Sequence, residues 1–366
     1  ESGVLLEDII KTFLPKGWFP YVTPGSKYVT VGGMIAADVH GKNHHKDGSF
    51  KNYIEWIDVM DNEGKINRCS KDKNYELFEW TVGGMGLTGV IIRTSIKLKS
   101  IETCWIKQKI LTSKNLDQTL EIFEKTMNST YSVAWLDCSV KDKHIGRSLI
   151  MIGEHALISD LDSAKKIQPL KLKRKNKINI PFYLPSWFLN KWFIKIFNSI
   201  YYSLGNMVKK QKLVYWDNYF YPLDNLLGWN KIYGRKGFVQ YQCVFPLNKS
   251  KDGLLKLIKE ISDSKINPFL SVLKRFGKED GKFSFPMEGL TIALDFPVND
   301  KTFKLLDKLD KITLDNDGRI YLAKDSRIKK DIFQQTDSRI KDYVNFREKK
   351  NYRSFFSSSQ STRLGL

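Results

Sequence analysis

Alternation and helical spacing lay out most of this chain before any chemistry is considered. Residues 53–60 (YIEWIDVM) alternate and predict a strand. Asp61-Asn62-Glu63-Gly64 then supplies a hairpin turn, and 65–69 the returning partner. Further β-segments are expected at 90–98, 102–110, 131–138 and 149–153, with helices over 74–80 and 115–127. The stretch 237–246 (GFVQYQCVFP) alternates cleanly, placing Gln240, Gln242 and Val244 on one face and Val239, Tyr241 and Cys243 on the other. Two glutamines facing the same way in an apolar strand must find partners, which suits a polar pocket better than a core. Strands at 269–276, 290–297 and 319–323 alternate with helices at 252–264 and 302–312, and 328–343 reads as one more helix. At the start, 2–14 reads as an amphipathic helix and 29–31 as a short β-like run. No internal repeat and no regular βα alternation appears, so neither a TIM barrel nor a Rossmann sheet is expected.

Composition changes this picture in three ways. At 366 residues the chain exceeds one ordinary core and suggests two domains, and 42% apolar content rules out wholesale disorder. A net charge of +20 implies an acidic partner: nucleic acid, an anionic membrane surface or a phosphorylated substrate. Cysteines at 69, 104, 138 and 243 show no paired spacing and fit scattered core residues of a reducing compartment. No apolar run approaches the 18 or so residues of a membrane span.

The positive charge is concentrated. Residues 165–212 hold a dozen Lys and Arg and no acid, interleaved with aromatics. Within them Ser186 can cap a helix with Trp192, Phe193, Ile196, Phe197, Ile200, Tyr201 and Leu204 on one half. Lys191, Lys195, Asn198 and Lys209 fall on the other. Such a helix could pack on its own core or, with the basic run 171–177 (KLKRKNK), lie on an anionic membrane.

Candidate chemistry gathers in 23–50 (TPGSKYVTVGGMIAADVHGKNHHKDGSF). Glycines at 25, 32, 33, 41 and 48, and the small residues after Gly33, leave backbone N–H groups open to a phosphate-bearing cofactor. His40, Lys42, His44 and His45 follow within six residues. The H-x-x-x-H-H spacing lacks a glutamate or CxxC partner for a metal site, so no metal is expected; a solvated basic loop and a cofactor loop are the other readings.

VTVGGMIAADVHGKNHH (29–45) resembles the flavin-binding signature of FAD-linked oxidases of the vanillyl-alcohol-oxidase fold, and within that superfamily the decaprenylphosphoryl-β-D-ribose 2′-oxidase family. Blocks at 80–93, 237–246, 321–327 and 362–366 continue the resemblance in the family's order. It implies an α+β, two-domain fold: a split flavin domain (1–101, with 319–366 returning to it) and an antiparallel-sheet substrate domain (102–318). The family's glycine-rich segment ahead of the first helix is absent here, so an N-terminally incomplete flavin domain is expected. The implied function is FAD-dependent oxidation of a secondary hydroxyl of a polyprenyl-phosphate-linked sugar. Matched by position, Gly25, Thr30, Val31, Gly32, Gly33, His40, Gly41, Lys42, Asn43, Ile92 and Tyr321 would hold FAD. Trp135, Gln240, Gln242, Lys274, Phe276, Thr291 and Lys324 would line the substrate side. Either Lys324 or His40 would take the hydroxyl proton, although a lysine there could also be a plain surface ion pair. Val133 stands where the family often has Ser; Thr291 and Ala293 stand where mycobacterial members have Asn and Cys.

The implied partners are a lipid-linked sugar phosphate, an anionic membrane surface and a short-chain reductase completing an epimerisation. The implied place is the bacterial cytoplasm, peripheral at the inner membrane face. Two other readings stand beside this one. One is a flavin oxidase of a soluble sugar, aldonolactone or hydroxy acid on the same fold. The other is a basic, aromatic nucleic-acid-binding protein, which the absence of any RNP, helix-turn-helix or zinc pattern disfavours.

Overall fold

A computed structural model describes residues 1–173, 178–185, 191–207 and 211–366. The first helix, α1, spans Leu6–Phe13 and buries Leu6 and Ile10. It is shorter than the expected 2–14, because Leu5 is extended and bridges Thr30. The β-like run at 29–31 is likewise cut short. Val31 opens helix α2 (Val31–Ala36), and Thr30 caps it by accepting from Gly33 N–H at 3.2 Å. A β-branched threonine was read as strand-forming, but at this position its hydroxyl serves as an N-cap.

The hairpin at 54–70 forms as its turn residues predict. Strands β1 (Ile54–Met60) and β2 (Ile66–Ser70) join β3 (Val90–Ile96) in an antiparallel sheet with β1 in the centre. Asp58 is buried in that central strand. Arg68 and Arg93 flank it, and their guanidinium groups hold its carboxyl below the usual carboxylate range, Arg68 most strongly.

The larger sheet takes in strands from most of the remaining chain. In chain order these are β4 (Trp105–Ser113), β5 (Tyr131–Leu136), β6 (Ser148–His155) and β7 (Gln211–Tyr215), then β8 (Phe238–Pro246), β9 (Leu270–Phe276), β10 (Gly289–Pro297) and β11 (Arg319–Ile320). They lie in the order β7-β4-β6-β5-β9-β10-β8-β11, every neighbouring pair antiparallel. The expected strand 319–323 is only two residues long; Leu322–Lys324 turns into a short 3-10 segment. Helices α3 (Leu116–Lys125), α5 (Ser250–Ser264) and α6 (Asp300–Asp315) cover one face. Val239, Tyr241, Cys243 and Phe245 of β8 pack there with Leu254, Leu257, Leu306 and Leu309. The opposite face carries Gln240, Gln242, Lys274 and Trp135, and the glycine-rich loop after α2 closes over part of it; Ser132 N–H of β5 donates to the Lys42 carbonyl at 2.8 Å.

Helix α4 (Lys191–Met207) departs from the expected wheel. Asn198, placed on the outer polar face from sequence, is buried and donates to Asp137 Oδ1 at 2.9 Å, while Ile194 beside it is also buried. Tyr201 meets Trp135 and Phe197 meets Phe269, at ring centroid distances of 4.9 and 5.9 Å. Trp192, Ile196, Ile200, Leu204 and Met207 are exposed, Phe197 and Tyr201 are 40 and 39% exposed despite these ring contacts, and Phe193 is half-buried. The proposed cap at Ser186, most of the 171–177 run and Lys209 lie outside the described residues. Among the described residues no helix is long and apolar enough to cross a membrane.

The single helix expected over 328–343 is broken into α7 (Lys330–Thr336) and α8 (Ile340–Lys349) by an extended Asp337. Asp337 instead binds Arg319 and Arg339. The polar tail, which composition alone would leave unordered, forms α9 (Ser359–Leu364) behind a Ser358 capping box. Leu364 and Leu366 are buried, and Arg363 grips Asp325 at 2.6 Å. All four cysteines are buried and unpaired.

Candidate functional site

His40 sits where the glycine-rich loop meets the open face of the large sheet. Gly41 behind it is packed so closely that a Cβ would come 2.5 Å from Asn43 Oδ1 and 3.0 Å from the Thr23 carbonyl. The imidazole is enclosed by Phe276, Phe285 and Tyr321, with ring centroids at 4.8, 5.6 and 5.1 Å. Gln242 of β8 reaches it with its amide nitrogen 3.0 Å from Nε2, and the same nitrogen lies 3.2 Å from Thr291 Oγ1 on β10. Burial, then the charges of Lys274, His44 and Lys324, hold His40 well below the usual imidazole range, so it is neutral.

Lys274 and Lys324 act on this ring, and Lys42 stands near enough to Lys274 to feel its charge. Lys42 comes from the loop, its ammonium donating to the Tyr219 carbonyl and standing 4.4 Å from the Tyr219 ring centroid. Lys274 comes from β9, next but one to Phe276. Lys324 follows β11 and donates to Gln240 Oε1 at 2.9 Å. Burial and the charge of Lys274 push Lys42 down to about 7; burial and Lys324 push Lys274 down to about 7. Lys324 is lowered by burial but opposed by Asp295. Asp295 accepts from Gln240 at 2.8 Å and is pushed up to about 6 by burial, against the pull of Gln240 and Lys324. Each lysine keeps some solvent contact while enclosed by protein, which is the condition of a cleft wall. Three clustered lysines with a carboxylate beside only Lys324 suit an anionic, electron-rich ligand.

Sequence reasoning and the structure therefore bring together His40, Lys42, Gln240, Gln242, Lys274, Phe276, Thr291, Tyr321 and Lys324. Trp135 lies on the same sheet face, paired across strands with Val272, two residues before Lys274. Thr30, Val31, Gly32 and Gly33 form the start of α2, and Gly25 borders open space. Asn43 turns inward instead, its amide donating to the Tyr21 carbonyl at 2.8 Å and to Asp47. Ile92 is on β3, with its carbonyl accepting from Ser2 N–H.

Several residues of the site escaped the sequence reading. Asp295 was one, although an acid on the alternating face of 290–297 is a signal of the same kind as the paired glutamines. The joint between loop and sheet was another. His44 accepts from Gly277 N–H at 3.2 Å and faces Glu279 at 3.4 Å, both side chains buried. Asp38 accepts from Lys51 N–H at 2.8 Å and from the Ser284 hydroxyl, and burial beside Glu279 pushes it up to about 7. These partners are far apart in sequence, and no local pattern pairs them.

Residues 1–70 match the FAD binding domain family. Over 370 residues the chain is 32% identical to decaprenylphosphoryl-β-D-ribose oxidase of Mycolicibacterium smegmatis, covering 100% of this chain and 80% of that protein. It is 26% identical to an uncharacterized protein in the mprA 5′ region of Streptomyces coelicolor, covering 99% of this chain and 100% of the relative. Cytokinin dehydrogenase 5 of Arabidopsis thaliana is 35% identical over 27% of the chain and 18% of its own length. The residues present fit FAD. The lysines supply positive charge, and His40 Nδ1 is a buried polar atom with no partner among the described residues. The chain thus belongs to the decaprenylphosphoryl-β-D-ribose oxidase family of FAD-linked oxidases, FAD-dependent oxidoreductases that act on a CH–OH group.

Proposed function

We propose that the hydroxyl oxidised is a secondary one on a polyprenyl-phosphate-linked sugar. The observation that carries this reading is the lysine cluster at His40, with Lys274 and Lys324 acting on its ring and Lys42 near Lys274, beside an apolar and aromatic stretch of the sheet (Val133, Trp135, Val272). A sugar phosphate needs the cations, and a lipid tail needs the apolar stretch. FAD, when bound, supplies the hydride acceptor. Gly25, Thr30–Gly33, Gly41–Asn43, Ile92 and Tyr321 are the residues proposed to hold it. His40, Gln242 and Lys324 orient the sugar. As the carbon loses hydride its hydroxyl must lose a proton, and a lysine held near 7 is neutral often enough to accept it.

In this reading residues 1–101 and 319–366 form the flavin domain and 102–318 the substrate domain. The contacts of α8 support it: Arg347 Nε donates to the Leu87 carbonyl at 2.9 Å and the Tyr343 hydroxyl to that of Gly84. The enzyme would work on the anionic inner face of the bacterial cytoplasmic membrane, where its substrate resides. The exposed stripe of α4 and the basic residues flanking it support that placement. The product would be a ketone, which a short-chain reductase could return as the epimeric alcohol.

The test is product analysis on FAD-loaded protein with polyprenylphosphoryl-ribose, free ribose and an aldonolactone offered separately. The lipid-linked sugar alone should give a product two hydrogens lighter. Equal turnover of a soluble sugar would overturn the lipid-linked reading.

A further inference from the structure

We infer that Thr291 fixes the tautomer of His40, placing the imidazole proton on Nδ1 and making His40 a hydrogen-bond donor to the ligand rather than the base of the reaction. Thr291 Oγ1 lies 2.8 Å from the Cys243 carbonyl. A carbonyl only accepts, so the threonine proton is committed to it. Toward Gln242 the hydroxyl can then only accept, which requires the amide nitrogen on that side. The same nitrogen stands 3.0 Å from His40 Nε2. A donor at that distance demands a lone pair on Nε2, and a neutral imidazole then carries its proton on Nδ1. His40 is 6% exposed, and its Nδ1 has no partner among the described residues.

Two consequences follow for the reaction. The basic nitrogen of His40 is already occupied, so the hydroxyl proton falls to the lysines. The Nδ1–H is held for an oxygen or nitrogen acceptor, on the sugar or on the flavin ring. This inference rests on the reading above that the cluster around His40 is the reaction site. The hydroxyl at 291 is what fixes it: an asparagine there could present either its oxygen or its nitrogen to Gln242 and would fix nothing.

The experiment is nitrogen NMR of ring-labelled histidine in FAD-loaded protein, with His40→Gln assigning the signal. Wild type and Thr291→Ser should show the proton on Nδ1. Thr291→Val frees the Gln242 amide to turn, and Gln242→Glu can only accept; both should move the proton to Nε2 or leave a mixture. If Thr291→Val does not fold, Gln242→Glu tests the same tautomer. The Nδ1–H signal should shift on FAD loading if the flavin is its acceptor and on addition of polyprenylphosphoryl-ribose if the sugar is. An Nε2–H tautomer in wild type overturns the assignment. So does an unchanged tautomer in Thr291→Val or Gln242→Glu; an Nδ1–H that responds to neither ligand overturns the donor role alone. The tautomer is read without turnover, so a wrong substrate would leave this result standing.

Discussion

At the scale of single residues, charge is what distinguishes this site. Lys42 and Lys274 are pushed down to about 7, while Asp295 opposes the lowering of Lys324. A lowered amine is protonated below its pKa and cannot accept a proton there. The rate of flavin reduction should therefore rise with pH through about 7, and Lys274→Met should flatten that rise. A stopped-flow pH profile checks it; a rate independent of pH between 6 and 8, roughly one unit either side of that value, would remove these lysines as proton acceptors. Lys324→Ala should lose at least about a hundredfold in flavin reduction while retaining FAD, the scale for removing one charged group that stabilises the reacting atoms. A wild-type rate would take Lys324 out of the mechanism. Alternation alone put Gln240 and Gln242 on one face, because strand geometry is local. Glu279 beside His44 and Ser284 beside Asp38 could not be read that way, since those contacts are set by how two distant segments meet.

At the scale of elements, local signals succeeded where one force dominates and failed where two compete. The alternating strands at 238–246 and 289–297 needed only periodicity. Thr30 was misread because its β-branch and its capping hydroxyl point to different structures, and the cap wins at the start of α2. In α4 the half-wheel of apolar residues was legible, but not its division. Phe197 and Tyr201 each touch the sheet side, against Phe269 and Trp135, while staying 40 and 39% exposed, and buried Asn198 is tolerated because Asp137 accepts its amide proton. The outward stripe is Trp192, Ile196, Ile200 and Leu204, between 55 and 64% exposed. Replacing these four with Ser should weaken co-sedimentation with anionic vesicles at least about tenfold while FAD content is retained, because all four side chains are more than half exposed. Replacing Phe197 should instead lower the melting temperature. Vesicle binding untouched by the four changes would mean the stripe does not meet the membrane.

At the scale of the whole molecule, the architecture brings the lysines of the loop and of the sheet to the same face as Val133, Trp135 and Val272. The antiparallel sheet buries one face under α3, α5 and α6, and offers the other to the loop that carries His40 and Lys42. The resemblance carried by the blocks at 29–45, 237–246 and 321–327 foretold that meeting, whereas composition and charge foretold only an acidic partner of some kind. In the proposed reaction this surface takes a lipid-linked sugar phosphate and delivers its hydride to FAD. The direct measurement is anaerobic mixing of FAD-loaded protein with polyprenylphosphoryl-ribose, following the oxidised-flavin absorbance. That absorbance should be lost in a single turnover with the lipid-linked sugar and persist with water-soluble ribose phosphate. Bleaching by the soluble compound at the same rate, or by neither, would contradict the account.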